Sequence, residues 1–400
     1  MATTLKNNKL GFATRTIHFG YEPSEHHNAL SSPIYMTSTY AFDTVDEYEA
    51  STVPGGMLYG RQSNPTTSLL EARIADLEGA EAAVMLASGE AAISTLFLSL
   101  LSQGDEVVVH QTLFGATMAN LNHGLSRFGV KTVTADLNDP SNLHAALSAR
   151  TRIVLFETPV NPTLDILDIA AIAAIAKNAG VLVVVDSTFC SPYIQQPLEL
   201  GADFVVHSAT KYLNGHGDVL AGVVTGKKEH IQKIRDTGLK YLTGATLSPM
   251  AASLILRGLK TLQLRMDRHS ASALALAHAM KDHPSIDYLR YPFLPSDPHH
   301  HIAKKQMSQG SGLVTFGLRS GFEGARRMMD KLRLVKRAVS LGDTHSLILH
   351  EAGLALGRAR NLGLGKPKLD FGVTEELLRI SVGLEDQEDI IDDVLQALSE

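Results

Sequence analysis

Residues 204 to 217 read Phe204-Val-Val-His-Ser-Ala-Thr-Lys211-Tyr-Leu-Asn-Gly-His-Gly217. An apolar run of the buried-strand type ends here in two hydroxyls, a lysine and a glycine-rich turn. Upstream, Val181-Leu-Val-Val-Val185 is a second such run, and it ends in Asp186. Open α/β sheets bind ligands in the crevice beyond the C-terminal ends of their strands, so a carboxylate and an amine at two such ends flank one crevice. A lysine that holds an aldehyde as a Schiff base, with an aspartate keeping a pyridine nitrogen protonated, is the division of labour that pyridoxal phosphate (PLP) chemistry requires.

Outward from this stretch the same pattern repeats. Short apolar runs at 82–86, 106–109, 130–133, 152–156, 181–185, 204–207 and 219–225 are separated by helical stretches. One of these spans 168–178, with Asp168 as N-cap, Ile169, Ile172 and Ile175 on one stripe, and Gly180 beyond its end. Another begins at Thr66, with Leu70, Ile74 and Leu77 at helical spacing and Gly79 closing it. The expected fold class is α/β, with a mostly parallel seven-stranded sheet.

At 400 residues the chain exceeds one ordinary core. The first sixty residues are turn-rich, including Pro54-Gly-Gly56, and read as an arm that packs on something else. A long helical stretch at 251–283 leads into Pro292-Phe-Leu-Pro295-Ser-Asp-Pro298. Strand candidates follow at 312–318, 334–340 and 378–382, with a last helix from Asp386, so the second half reads as a smaller α+β unit. The expected division is an N-terminal arm (1–62), a PLP-binding domain (63–250) and a C-terminal α+β domain (251–400). The Gly- and Arg-rich segment 353–365 reads as a loop.

A formal charge of −6 without a long basic run argues against nucleic acid or an anionic membrane as partner. The start, MATTLKNNKLGFATR, has no apolar signal core, and no apolar run is long enough to span a bilayer, so a cytoplasmic protein is expected. The single cysteine, Cys190, reads as a small buried hydrophobe. No G-x-G-x-x-G follows the first strand and no G-x-x-x-x-G-K-[ST] loop is present, which removes the nicotinamide and nucleoside-triphosphate readings. His299-His300-His301 reads as a solvated loop, since adjacent residues point apart and no acid or thiol cluster accompanies them, and no metal is expected.

Ser88-Gly89-Glu90 follows a strand and opens a helix, where backbone N–H groups can receive a phosphate. Ser208 and Thr210 add hydroxyls of the kind that complete a phosphate cup.

Ser208-Ala-Thr-Lys211-Tyr-Leu-Asn-Gly-His, Glu157-Thr-Pro-x-Asn161-Pro, Tyr59-x-Arg61-x-x-Asn-Pro-Thr, Leu256-Arg-Gly-Leu-Lys-Thr-Leu262 and Arg379-Ile-Ser-Val-Gly-Leu-Glu385 resemble the Cys/Met-metabolism PLP enzymes. That group holds methionine γ-lyases, cystathionine γ-lyases, cystathionine γ-synthases and O-acetylhomoserine sulfhydrylases, and the resemblance covers nearly the whole chain. It implies PLP fold type I, the aspartate-aminotransferase type, and a homotetramer built from two catalytic dimers. It places the Schiff base on Lys211 and the pyridinium partner at Asp186. Phosphate contacts fall to Ser88, Gly89, Glu90, Ser208 and Thr210, joined by Tyr59 and Arg61 of the neighbouring subunit. Asn161 and Arg379 clamp the substrate carboxylate with Ser340 close by, and Tyr59, Ala116 and Lys240 border the substrate.

The chain departs from that pattern at several points. Phe114 stands where family members usually carry a tyrosine, so the ring that stacks on the cofactor is kept and the acid that protonates the leaving group is lost. Ala116 and Tyr241 stand where methionine-specialised members carry a cysteine and an acid. Glu90 replaces the usual methionine, putting an anion beside the bound phosphate. His345 and the segment Glu351-Ala-Gly-Leu-Ala355 also differ, so the substrate's distal end meets an unusual pocket. The expected activity is γ-elimination on an amino acid of the methionine, homocysteine or cystathionine type, or on a cationic one such as canavanine. The alternatives are γ-replacement, of the synthase or sulfhydrylase type, and a PLP-binding protein without turnover.

Overall fold

Runs such as Val107 to Val109 and Val183 to Val185 leave no polar face, so they are stable only as strands covered on both sides. In the computed structural model, which describes residues 10–53, 55–365, 369 and 372–399, they form the centre of a seven-stranded sheet. Its strands are β1 (Ala82–Leu86), β2 (Glu106–His110), β3 (Lys131–Ala135), β4 (Thr151–Glu157), β5 (Leu182–Asp186), β6 (Phe204–His207) and β7 (Gly222–Gly226), in the order β1-β7-β6-β5-β4-β2-β3. The pairings among β2 to β6 are parallel, and β7 runs antiparallel to both β6 and β1. The sheet is therefore mostly parallel, as read from the sequence.

Apolar clusters lie on its two faces. One joins Ile93, Leu96 and Phe97 of the helix Gly89–Leu100 to Val107, Leu155 and Val206. The other joins Ile169, Ile172 and Ala176 of the helix Ile169–Asn178 to Val154, Val183 and Val185. Asp168 caps that second helix through Ala171 N–H at 3.0 Å, as its position predicts. Gly79 closes the helix Pro65–Glu78 in the left-handed conformation. Cys190 is fully buried in a third cluster.

A five-stranded sheet follows, of β8 (Ile286–Arg290), β9 (Leu313–Leu318), β10 (Lys336–Arg337), β11 (Leu347–Leu349) and β12 (Leu377–Ser381), in the order β10-β11-β12-β9-β8. It is antiparallel except at β10-β11.

Several expectations need correction. The strand read at 334–340 shrinks to Lys336–Arg337, because the Asp393 carboxylate accepts the N–H groups of Arg333, Leu334 and Val335 and so takes them out of any ladder. The strand read at 219–225 begins only at Gly222. The helical stretch 251–283 is two helices, Pro249–Leu259 and Leu262–Met280, with Arg265 reaching back to the Gly258 carbonyl at 2.9 Å. The segment read as a loop at 353–365 is largely the helix Glu351–Asn361, which buries Ala352 and Ala359. His300 and His301 open a helix, His300–Gln306, in place of a solvated loop. In the arm, short helices at Phe12–His18 and Val45–Ala50 interrupt the irregular backbone, and Arg15 pairs with Asp76 at 2.8 Å. Pro54 and residues 1–9 lie outside the described residues.

Candidate active site

Parallel strands deliver their ends to one edge, and β4, β5 and β6 are neighbours there. Asp186 ends β5 and pairs in register with Glu157, which ends β4. The chain turns immediately after Asp186, and the Thr188 N–H donates to Asp186 Oδ1 at 2.9 Å. Thr188 Oγ1 in turn accepts the Ser208 N–H at 2.9 Å, so the turn after β5 holds the loop that carries Lys211 after β6. One threonine thus couples the carboxylate to the lysine loop.

The Lys211 ammonium donates to Ser340 Oγ at 2.6 Å. Ser340 has φ 106°, a backbone region that residues with a Cβ rarely enter and that persists only where the surroundings impose it. In that conformation its carbonyl accepts from Arg379 Nη2 at 3.0 Å. Arg379 Nη1 donates to Asn161 Oδ1, and the Asn161 N–H donates to Glu157 Oε1 at 3.2 Å. Lys211, Ser340, Arg379 and Asn161, distant in the chain, are therefore brought together. Arg379 lies on β12 at 3% exposure, and its Nε has no partner among the described residues. A buried guanidinium with a free N–H is a receptor for an oxyanion. At that burial it is no ordinary surface charge.

Burial sets the protonation of this site. It pulls the Lys211 ammonium down to about 8, with the Arg379 charge adding to the effect. It raises the Asp186 carboxyl, against the hydrogen bonds from Thr188 that favour the anion. It raises Glu157 well above the ordinary carboxylate range, and the neighbouring Asp186 charge raises it further. Burial lowers Arg379, while Glu351 opposes that shift.

At the other end of the site, Ser88 caps the helix Gly89–Leu100 by accepting the Ala91 N–H at 3.1 Å. A Cβ added at Gly89 would stand 2.8 Å from Ser208 Cβ, so only glycine lets this helix start lie against the Ser208 loop. Thr210 Oγ1 is tied to the Ala221 N–H at 2.9 Å. Glu90 turns away from the helix start, accepting from Asn120 Nδ2 at 2.9 Å and from Thr117 Oγ1 at 3.3 Å. Phe114 sits at the start of the helix Gly115–Ala119 with its ring half exposed, and Ala116 lies exposed on that helix.

Tyr59, Arg61 and Lys240 form a separate group. Arg61 lies 5.5 Å over the Tyr59 ring and donates to the Lys240 carbonyl, and Tyr59 is 44% exposed. No hydrogen bond or ion pair among the described residues links them to Lys211 or Asp186 of the same chain. Glu157 and Thr188 were not picked out from the sequence as site residues. The acid at the end of the 152–156 run was a usable signal for Glu157, whereas Thr188 had none.

A cavity of about 190 Å³ opens beside this cluster, lined by Phe114, Asn161, Glu351 and Ala355 among others. The residues fit PLP: a half-buried amine of lowered basicity, a half-buried carboxylate at the adjacent strand end, and a helix start that only glycine allows so close to Ser208. Because burial holds Lys211 near 8, capture of added PLP by apoprotein should accelerate as pH rises toward about 8 and then level off. Stopped-flow absorbance measures it. A rate still climbing in proportion to hydroxide at pH 10 would contradict the assignment, as would borohydride trapping of PLP on another lysine.

The family model described as Cys/Met metabolism PLP-dependent enzyme matches residues 13–399. L-methionine gamma-lyase of Pseudomonas putida is 50% identical over 396 residues, covering 98% of each chain. Cystathionine gamma-synthase of Mycobacterium bovis is 40% identical over 388 residues, covering 97% of each. The crystal structure of metB from Corynebacterium glutamicum matches with a TM-score of 0.91 at 36% identity, over 98% of each chain. The chain, with the fold type I architecture, belongs to the Cys/Met-metabolism family of PLP-dependent enzymes.

Proposed function

We propose that this enzyme removes the γ-substituent of an L-amino acid by elimination, consuming one water and giving the free leaving group, ammonia and a 2-oxo acid. Relatives called L-methionine gamma-lyase, 44 to 50% identical over nearly the whole chain, favour elimination. The 40% identical synthase and a 41% identical relative called O-succinylhomoserine sulfhydrylase keep γ-replacement as the second reading. The observation that carries the proposal is Ser340, which binds the Lys211 amine through its hydroxyl and the Arg379 guanidinium through its carbonyl. A base and a carboxylate clamp sharing one residue suit a reaction that begins by moving the proton on the carbon next to a carboxylate.

In this reading Arg379 and Asn161 would grip the α-carboxylate and turn the Cα–H toward Lys211. Lys211 would hold PLP and, once released by the substrate amine, take the α-proton. Asp186 would keep the pyridine nitrogen protonated, while Ser208, Thr210 and the backbone at Gly89 would face the phosphate. When bound, PLP supplies the electron sink that makes the hydrogens at Cα and Cβ removable. Phe114 would cover the ring without offering a proton.

A cationic or readily departing γ-substituent, such as the oxyguanidine of canavanine, is the finer form of the proposal. Glu90 does not support it, because its carboxylate is turned onto Thr117 and Asn120. Glu351 supports it, because it lines the cavity beside Phe114. Phe114→Tyr should raise turnover of methionine, whose thiolate benefits from a proton, by up to roughly 10²-fold, and that of canavanine little. Steady-state kinetics on both substrates decides, and equal gains would show that the hydroxyl does not act on the leaving group.

The cytoplasm is the proposed compartment; no described helix is long and apolar enough to cross a membrane. The proposed assembly is a tetramer of two catalytic dimers, in which Tyr59, Arg61 and Lys240 serve the partner's site. The exposure of Tyr59 and Arg61, and the lack of any hydrogen bond or ion pair among the described residues that ties the group to Lys211, support it. Hybrids of Arg61→Ala with Lys211→Ala should then regain activity on subunit exchange, since one site per hybrid dimer carries neither change. No recovery would argue against a shared site.

A further inference from the structure

The acid at position 90 is the least expected residue of the site, since it opens the helix whose start would face the phosphate. An acid in a first turn interacts favourably with the helix dipole, which alone would keep it harmlessly at the surface. Its carboxylate instead spans to a different element. Oε1 accepts from Asn120 Nδ2 at 2.9 Å and Oε2 accepts from Thr117 Oγ1 at 3.3 Å, while Asn120 Nδ2 also reaches Ser94 Oγ at 2.7 Å on the same long helix. Thr117 belongs to the helix Gly115–Ala119, and Asn120 begins the π-turn Asn120–Gly124 that continues it. Phe114 heads this stretch, and its carbonyl accepts the Met118 N–H at 3.0 Å. Two side chains one turn apart are thus held by the long helix, and the short helix itself has no side-chain cap, since Phe114 at its N-cap has no acceptor to offer.

We propose that Glu90 is a positioning residue that fixes Phe114 over the cofactor ring by tying the 115–124 stretch to the helix Gly89–Leu100. A helix of five residues has little stability of its own, so its direction depends on such ties. Burial, with the Asp186 charge adding, raises the Glu90 carboxyl, and the two donors oppose that shift. This inference rests on the reading of Phe114 as the residue that covers the cofactor.

Glu90→Gln keeps an acceptor for Asn120 and removes the charge, whereas Glu90→Met removes both, and Asn120→Ala removes the shorter of the two ties together with the link to Ser94 while leaving the carboxylate and its Thr117 bond. The visible circular dichroism of the bound cofactor reports how the protein holds its ring and needs no turnover. Glu90→Gln should keep the wild-type band, because an acceptor for Asn120 remains. Glu90→Met and Asn120→Ala should both weaken or invert the band, and lower kcat by about tenfold with KM little changed. If either of those two variants fails to fold, the other carries the test. An unchanged band in Glu90→Met or Asn120→Ala overturns the proposal, and so does a Glu90→Gln band that matches Glu90→Met. Failure of γ-elimination itself would appear as absent product with these band differences intact, so the two readings fail separately.

Discussion

The site depends on one backbone conformation, that of Ser340. At φ 106° its carbonyl and hydroxyl point to different cations, Arg379 on one side and Lys211 on the other. A residue with a Cβ pays of order 1 to 3 kcal/mol to stay there, so the neighbours must impose it. The Ser381 hydroxyl accepts the Gly342 N–H at 3.0 Å, and a Cβ at Gly342 would meet Tyr212 N at 2.8 Å, so the segment after Ser340 is packed hard against the Lys211 loop. The second sheet thereby reaches into the edge of the first.

Around this point the charges close a circuit. Asp186 is tied to Thr188, Thr188 to Ser208, and the Ser208 loop carries Lys211; Lys211 meets Ser340, Ser340 meets Arg379, and Arg379 returns through Asn161 to Glu157 beside Asp186. Buried charges are tolerated only when paired and hydrogen-bonded, and here each acid has a donor and each cation an acceptor. The exception, Arg379 Nε, is where a substrate carboxylate would complete the set.

Lys211 and Asp186 were legible because each ends an apolar run, and the ends of parallel strands share an edge by topology alone. The order of the seven strands was not legible, since β7 pairs back antiparallel between β1 and β6. Ser340 was reached only through family resemblance, because a left-handed φ at a serine leaves no trace in composition. The run at 334–340 reads as a strand, and Asp393, far along the chain, cuts it back to Lys336–Arg337 by taking the N–H groups of residues 333 to 335. Glycines at 353 and 357 mask a helix that burial of Ala352 and Ala359 sustains. The direction of Glu90 depended on Asn120, a partner that no spacing rule would have chosen.

Elimination at Cγ is the claim on which the functional account stands, and isotope incorporation tests it directly. Methionine, cystathionine and canavanine would each be incubated with the holoenzyme in deuterium oxide and the products read by NMR. The account predicts that at least one yields 2-oxobutanoate bearing deuterium at both Cβ and Cγ, with ammonia and the leaving group released in equal amount. Products that keep the amino group and carry a new substituent at Cγ would contradict it in favour of replacement, and three unconsumed substrates would contradict it outright.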